Sequence, residues 1–293
     1  MAALRINFLA IAAVAVLSAC GGGGGDEGGG TPPPAPPSDN GLPYAADGQS
    51  LVGAEDTEVV AEGASFQVGS GPTLGAATIR VSSGFFAGAG ATSSLNGTIT
   101  IFGETVTIEN GVGTIPITGE EVRLIFESDR VGTYVAAVDV AVSDVTDGMI
   151  NGGGAYVFGY ETSPATISTL GTTEYRGSFQ AYGSLNGSED TDTEYDGGIL
   201  IIADFDSDVD VTLDGDLDDV GSMVLRNGSI PISGNSFSGG LSCPASGCDS
   251  TGSQISGTFY GPNAEEVGGV LSINATVGGQ DYDGVGTFII VSP

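Results

Sequence analysis

The chain has 293 residues, including 51 glycines, and its 37 acidic residues against six arginines give a formal net charge of −31. It contains no histidine, lysine or tryptophan, which excludes histidine-based triads, imidazole metal ligands, Schiff-base lysines and the P-loop lysine. Because so negative a chain repels phosphate backbones, nucleic acid is excluded as a partner. The length allows one large domain or two small ones.

The N-terminus has the order of regions found in a secretory signal peptide. Arg5 precedes a largely apolar run over residues 6–16, which is shorter than the roughly 20 residues needed to span a bilayer. The next four residues, Leu-Ser-Ala-Cys at 17–20, resemble a bacterial lipobox. This resemblance implies that residues 1–19 are removed as a lipoprotein signal peptide and that Cys20 is acylated, which anchors the chain to a membrane.

Residues 20–44 form a predicted tether. Gly21–Gly30 is nearly all glycine, which favours a flexible coil, and Thr31–Pro37 is rich in proline, which favours a stiffer extended spacer. The sequence therefore predicts a folded part that begins near residue 45 and is held away from the membrane surface.

From residue 45 onward, short runs rich in Val, Ile, Thr, Tyr and Phe alternate with Gly, Asn, Asp and Ser, and helical periodicity is absent. This pattern predicts an all-β chain. A break at residues 162–172, which contains Pro164 and Gly171, marks the predicted domain boundary. The strands predicted in the N-terminal part, residues 45–165, are Ala64–Val68, Ala77–Val81, Gly97–Phe102, Glu104–Glu109, Gly113–Ile117, Val122–Glu127, Thr133–Val142 and Ala155–Tyr160.

The C-terminal part, residues 166–293, contains eight predicted antiparallel strands. Apolar residues occupy every second position in several of them, as in residues 209–213, which predicts one dry and one wet face. Eight such strands close into a barrel whose interior is filled by side chains or holds one small ligand. The predicted strands are Glu174–Gly183, Gly197–Phe205, Val209–Asp214, Ser222–Ile232, Ser236–Leu241, Ser253–Tyr260, Val267–Thr276 and Asp283–Val291.

Alternating aspartates run through residues 204–219. Oxygen-rich sites of this kind suit calcium, and Asp214, Asp216 and Asp218 are the candidate ligands. The spacing does not fit an EF-hand loop, however. The favoured interpretation is a solvated outer face of a strand, with calcium as the alternative, and we expect no cofactor.

Two cysteines, Cys243 and Cys248, flank a Pro-Ala-Ser-Gly turn. In an exported protein this spacing predicts a local disulfide across the turn. A metal or redox pair is the alternative, which the CxxxxC spacing and the lack of a further thiol or imidazole disfavour.

The most distinctive stretch reads FYGPNAEEVGG from Phe259 onward. Its chemistry predicts a strand that ends at Tyr260, a helical turn that begins at Pro262 with acidic residues in its first turn, and a glycine pair that stops the turn. Such a unit is a corner or plug of a barrel rather than a catalytic centre. The residues that carry the pattern are Phe259, Tyr260, Gly261, Pro262, Glu265, Glu266, Gly268 and Gly269.

This stretch resembles the FYGP-x-A-x-E-x-GG signature of the β-barrel domains of transferrin-binding protein B and related surface lipoproteins. Residues 159–177 resemble the lead-in to the first barrel strand of these proteins, and Gly284–Phe288 resembles their closing strand. The resemblance implies an eight-stranded antiparallel barrel over residues 166–293, beside an N-terminal handle-like β-domain over residues 45–165. It also implies export to the cell surface by a dedicated assembly machinery.

These features favour a binding module: an outer-membrane surface lipoprotein that captures an extracellular protein or small solute, for nutrient or iron uptake. The acidic charge favours a basic partner. A structural or adhesive surface protein without a dedicated ligand is the alternative. We expect no enzymatic activity, because the sequence has no G-x-S-x-G elbow and no histidine to serve one.

Overall fold

The computed structural model describes residues 40–49, 51, 57–67, 71–81, 97–101, 104–108, 112–114, 121–125, 132–143, 150–188 and 193–293. These residues belong to one compact unit, Pro36–Pro293. The predicted signal peptide, Cys20 and most of the predicted tether lie outside the described residues.

The first eight strands form one antiparallel sheet, here called the N-terminal sheet, with the order β4-β3-β2-β1-β8-β7-β6-β5. A strand is present at each of the eight places predicted in this part, and the predicted ends at Val68, Phe102, Glu109, Ile117 and Glu127 lie outside the described residues. Their bounds are β1 Thr57–Gln67, β2 Thr73–Val81, β3 Gly97–Ile101, β4 Glu104–Ile108, β5 Val112–Thr114, β6 Glu121–Ile125, β7 Val135–Ser143 and β8 Ile150–Gly159.

The remaining strands form a closed antiparallel barrel. The circuit runs β9-β10-β11-β12-β13-β15-β16-β17 and returns to β9, so the predicted eight-stranded barrel is confirmed. The two-residue strand β14 adds to the side of β16. The bounds are β9 Thr172–Leu185, β10 Thr193–Asp204, β11 Asp208–Leu217, β12 Gly221–Ser233, β13 Ser236–Gly240, β14 Cys248–Asp249, β15 Gln254–Tyr260, β16 Glu266–Val277 and β17 Gln280–Val291.

Side chains fill the barrel interior. Phe259 lies among Tyr175, Phe205 and Phe237, with ring centroids 6.0, 4.8 and 5.7 Å from its own. All four side chains are buried. Of the two interiors that the sequence allowed, the structure favours the packed one, because large inward side chains fill the space that inward glycines leave: a Cβ at Gly257 would lie 2.5 Å from Phe237, and one at Gly269 would lie 2.4 Å from Phe288.

One short helix, α1 (Pro164–Ile167), lies between the two sheets. Its N-cap Ser163 accepts a hydrogen bond from the backbone N–H of Thr166 at 3.1 Å, and proline occupies its first turn. The sequence predicted only a break here. The predicted domain boundary after residue 165 falls inside α1 and stays a prediction. Within the described part of the chain, no helix combines the length and the apolarity that a bilayer crossing requires.

The N-terminal sheet packs against the barrel through a second apolar cluster, here called the junction. Strands β1, β7 and β8 contribute from one side, and β15, β16 and β17 from the other. The buried apolar residues of the junction are Ala64, Val135, Ala137, Ala155, Val157, Tyr260, Val270 and Val285.

Candidate functional site

The FYGP stretch forms a tight turn between β15 and β16, and the predicted helical turn is wrong. Gly261 has φ 90° and Ala264 has φ 57°, and a right-handed helix contains neither value. The Glu265 carboxylate instead accepts hydrogen bonds from the backbone N–H of Asn263 at 2.9 Å and from its side chain at 3.0 Å. The turn is also tied to the barrel interior, where the Tyr175 hydroxyl donates to the Ala264 carbonyl at 2.6 Å.

Glu266 is the first residue of β16 rather than part of a helical turn, and its carboxylate is buried in the junction. It accepts backbone N–H groups from three consecutive residues at the start of β7: Thr133 at 2.6 Å, Tyr134 at 2.9 Å and Val135 at 3.2 Å. A carboxylate that receives three N–H donors is well satisfied although it is buried. Glu266 therefore fastens the barrel to the N-terminal sheet.

The glycine pair lies within β16 and does not stop a turn, which corrects the prediction. A Cβ at Gly268 would lie 2.6 Å from Val135 Cγ2 and 2.8 Å from Val157 Cγ1, so this glycine lets the N-terminal sheet approach the barrel backbone. A Cβ at Gly269 would lie 2.4 Å from Cζ of Phe288, a core residue of the barrel. The two glycines thus serve opposite faces of one strand.

Because successive side chains of a strand point to opposite faces, Phe259 and Tyr260 lie on opposite sides of β15. Phe259 belongs to the core inside the barrel, whereas Tyr260 belongs to the junction. Burial, with the nearby charges of Glu62 and Glu161, holds the pKa of the Tyr260 phenol well above its usual value. The FYGP stretch therefore builds the barrel core with one face and the junction with the other.

Two further glutamates lie at the junction. The carboxylate of Glu62, on β1, accepts hydrogen bonds from the hydroxyls of Ser256 and of Thr258, the latter at 3.2 Å. Burial raises the pKa of Glu62 to about 7, and the charge of Glu161 adds to this rise while the two hydroxyl donors oppose it. Glu161 accepts from the side chain of Asn235 at 2.9 Å.

Sequence reasoning did not find Glu62, because the predicted strand began at Ala64 and left this residue in a connection. By alternation Glu62 shares a strand face with Glu58 as well as with Val60 and Ala64, so the sequence did not mark it as a contact to the barrel. Glu62 and Glu266 thus hold the N-terminal sheet to the barrel through hydrogen bonds, whereas Glu161 binds the side chain of Asn235.

The aspartate row lies on the outer face of the barrel. Asp214, Asp216 and Asp218 are exposed, and Asp216 accepts a hydrogen bond from the hydroxyl of Ser222 at 2.7 Å. Their exposure fits the favoured interpretation, a solvated strand face, and the calcium alternative stays a prediction. In the part of the chain that the structure describes, acidic and sulfur side chains form no group of three that could hold a metal ion.

Cys243 and Cys248 are joined in the predicted disulfide, with their Cα atoms 5.9 Å apart. The bridge closes the loop between β13 and β15 and carries β14, which pairs Cys248 with Val277 at the end of β16. The hydroxyl of Ser250 accepts a hydrogen bond from the backbone N–H of Cys243 at 2.8 Å, which adds a second connection across the loop.

A pocket of about 530 Å³ opens on the outer wall where β12 bulges. The pairing of β11 with β12 shifts register here, and the side chain of Asn227 bridges to the carbonyl of Gly240 at 2.7 Å. The pocket offers one guanidinium and one carboxylate. Its lining residues are Asp210, Thr212, Arg226, Asn227, Gly228, Gly240, Leu241 and Ser242.

Residues 167–288 match the family model of the C-lobe and N-lobe β-barrels of Tf-binding protein B. Over these residues the barrel is similar to the barrels of transferrin-binding protein B. The FYGP stretch and the disulfide both lie inside the matched residues of this barrel, whereas the N-terminal sheet lies outside them. A comparison with curated proteins found no match.

Among solved structures, the chain is similar to intact Ap-TbpB with its N and C lobes, at 17% identity and a TM-score of 0.46, covering 80% of this chain and 47% of that one. It is also similar to a double mutant of transferrin-binding protein B from Haemophilus parasuis Hp5, at 17% identity and a TM-score of 0.46. That match covers 80% of this chain and 45% of that one. The isotype 1 transferrin-binding protein B from serogroup B Neisseria meningitidis is similar at 16% identity and a TM-score of 0.43, and the match covers 80% of this chain and 44% of that one. The chain spans less than half the length of these proteins.

Proposed function

We propose that this protein is a lipid-anchored lipoprotein of the outer-membrane surface whose β-barrel part binds an extracellular protein, in the service of nutrient or iron uptake. The observation that carries the proposal is the match of residues 167–288 to the barrels of a transferrin-binding protein. The lipobox-like residues 17–20 and the glycine-proline tether support the anchor.

We favour a protein over a small solute as the partner, because the barrel core that the structure describes is built of packed side chains. Its inward side chains, such as Tyr175, Leu213 and Phe259, are fully buried against one another. The remaining binding area is the outer surface and the loops, where the formal charge of −31 for the chain favours a basic protein surface.

A structural or adhesive role without a dedicated ligand is the second candidate. The packed interior favours it, and so do the short barrel connections, such as Gly278–Gly279 between β16 and β17. The two candidates differ in one observable: only the first requires saturable capture of a soluble extracellular partner.

Anchoring and exposure are tested together on intact cells. We expect the wild-type chain to fractionate with membranes and to be digested by protease added outside the cells, and Cys20→Ala to lose the membrane association, because no acyl chain is then attached. The double variant Cys243→Ser/Cys248→Ser is the matched cysteine control and should stay anchored. Membrane association of Cys20→Ala, or protection of the wild-type chain from protease, would contradict the proposal.

A further inference from the structure

The outer wall of the barrel parts at the pocket beside the β12 bulge. Ile232 and its neighbour, near the end of β12, pair with β13, and in the described chain the backbone of β12 pairs with this segment again only at the bridge between Arg226 and Ser242. At that bridge the two backbones exchange hydrogen bonds of 2.9 Å. The pocket of about 530 Å³ opens over the stretch between these two places.

Uncharged groups hold the rim of this pocket. The side-chain amide of Asn227 donates to the Gly240 carbonyl at 2.7 Å, and the side-chain oxygen of Asn227 accepts the backbone N–H of Ser229 at 3.0 Å. The hydroxyl of Ser242 donates to the backbone carbonyl of Arg226 at 3.1 Å. The frame of the pocket is therefore fixed without the use of its two charged side chains.

These two side chains, Arg226 and Asp210, are exposed, and among the described residues neither makes an ion pair or a side-chain hydrogen bond. Arg176 on β9, by contrast, pairs with Glu174. The residue opposite Arg226 on β11 is Thr212, and Asp210 is the next outward residue of that strand. The guanidinium and the carboxylate thus come from diagonal positions, which lie about 7–8 Å apart in a regular antiparallel pair. Both charges are available to a ligand.

The pair of opposite charges favours a ligand that carries both signs. A simple anion pairs with Arg226, but it faces Asp210 and is repelled by a chain with a formal charge of −31. A simple cation pairs with Asp210, but it finds similar exposed carboxylates at Asp214 and Asp216 of the same strand, so it has no reason to select the pocket. A zwitterion is neutral overall and gains from both side chains.

We propose that this outer-wall pocket binds a small zwitterion with a free ammonium and a free carboxylate, the chemistry of an amino acid or a short peptide. Arg226 donates to the carboxylate, Asp210 accepts from the ammonium, and the buried Leu241 adds an apolar surface to the lining. The volume of about 530 Å³ lies within the range of small-molecule sites. The site goes beyond the proposed capture of a protein and does not rest on it.

Titration of the purified, ¹⁵N-labelled full chain with L-leucine and with leucyl-leucine tests the proposal by NMR. We expect saturable shifts of the amide signals of Gly228 and Gly240, which line the pocket, with a Kd on the order of 1 mM for so small a ligand. The tighter of the two probes shows whether a free amino acid or a peptide is the better source of the charges. N-acetyl-leucine lacks the ammonium and leucinamide lacks the carboxylate, so each should bind here about fivefold more weakly, the effect of one exposed charge pair.

Substitutions assign the two charges. Arg226→Gln and Asp210→Asn should each weaken the binding of both zwitterions about fivefold, and Arg226→Gln should no longer distinguish leucine from leucinamide. The matched controls Arg176→Gln and Asp214→Asn change exposed residues outside the pocket and should leave the Kd unchanged. The proposal is overturned if neither zwitterion shifts the two glycine signals saturably up to about 20 mM. Equal binding of leucine and leucinamide by the wild-type chain, or an unchanged Kd in both pocket variants, would overturn it as well.

Discussion

Gly268 brings the backbone of β16 against two valines of the N-terminal sheet. Its absent side chain leaves the space that Val135 and Val157 occupy, with closest approaches of 2.6 and 2.8 Å to an added Cβ. Two residues earlier, Glu266 holds the start of β7 by three backbone hydrogen bonds. Gly268 and Glu266 are therefore contact points between the barrel and the N-terminal sheet.

The first prediction concerns Gly268→Ala. The added methyl group overpacks the junction, and we expect the free energy of unfolding to fall by about 1–3 kcal/mol. Urea denaturation measures the change. Gly228→Ala is the matched control, because an added Cβ there meets no atom within 4 Å; it should alter stability by no more than about 0.5 kcal/mol. Equal effects of the two substitutions would show that Gly268 is not a close-contact position.

At the scale of elements, the alternation of strand residues predicts most of the barrel. In β11, Val209, Val211 and Leu213 are fully buried and the intervening residues face outward, as the period of two requires. The N-terminal strands deviate more. The sequence starts β1 at Ala64, but the strand begins at Thr57, because Glu62 interrupts the apolar pattern and becomes acceptable only against donors on β15.

The disulfide between Cys243 and Cys248 should stabilise mainly the loop that it closes. In Cys243→Ser/Cys248→Ser, we expect the free energy of unfolding to fall by about 2 kcal/mol at most, since the closed loop is short. The larger effect should be local. Hydrogen exchange of β14 should become fast as its pairing with the end of β16 is lost, while β9 and β10 keep their protection. Loss of protection throughout the barrel would contradict this expectation.

At the scale of the whole molecule, charge and packing decide what can bind. The barrel core is built of packed apolar side chains, and the outer surface of the barrel carries aspartates such as Asp210, Asp214 and Asp216. We therefore expect the immobilised chain to retain a basic protein from growth medium. Its retention should fall as ionic strength rises from about 0.05 M to about 0.5 M, since salt screens exposed charges. Immobilised polyglutamate with the same formal charge of −31 is the control for charge alone; equal retention by both would favour the structural role.

The sequence by itself determined which segments are strands, the all-β class, the closed count of eight in the barrel and the local disulfide. These depend on the alternation and spacing of residues close together in the chain. Only the tertiary structure decided what the FYGP stretch does, that Glu62 contacts β15 and that large side chains pack in the barrel core. Glu266 meets Thr133 across 133 positions and Glu62 meets Ser256 across 194. A local pattern holds no information about such distant partners, because the environment of a buried carboxylate is created by the docking of whole sheets.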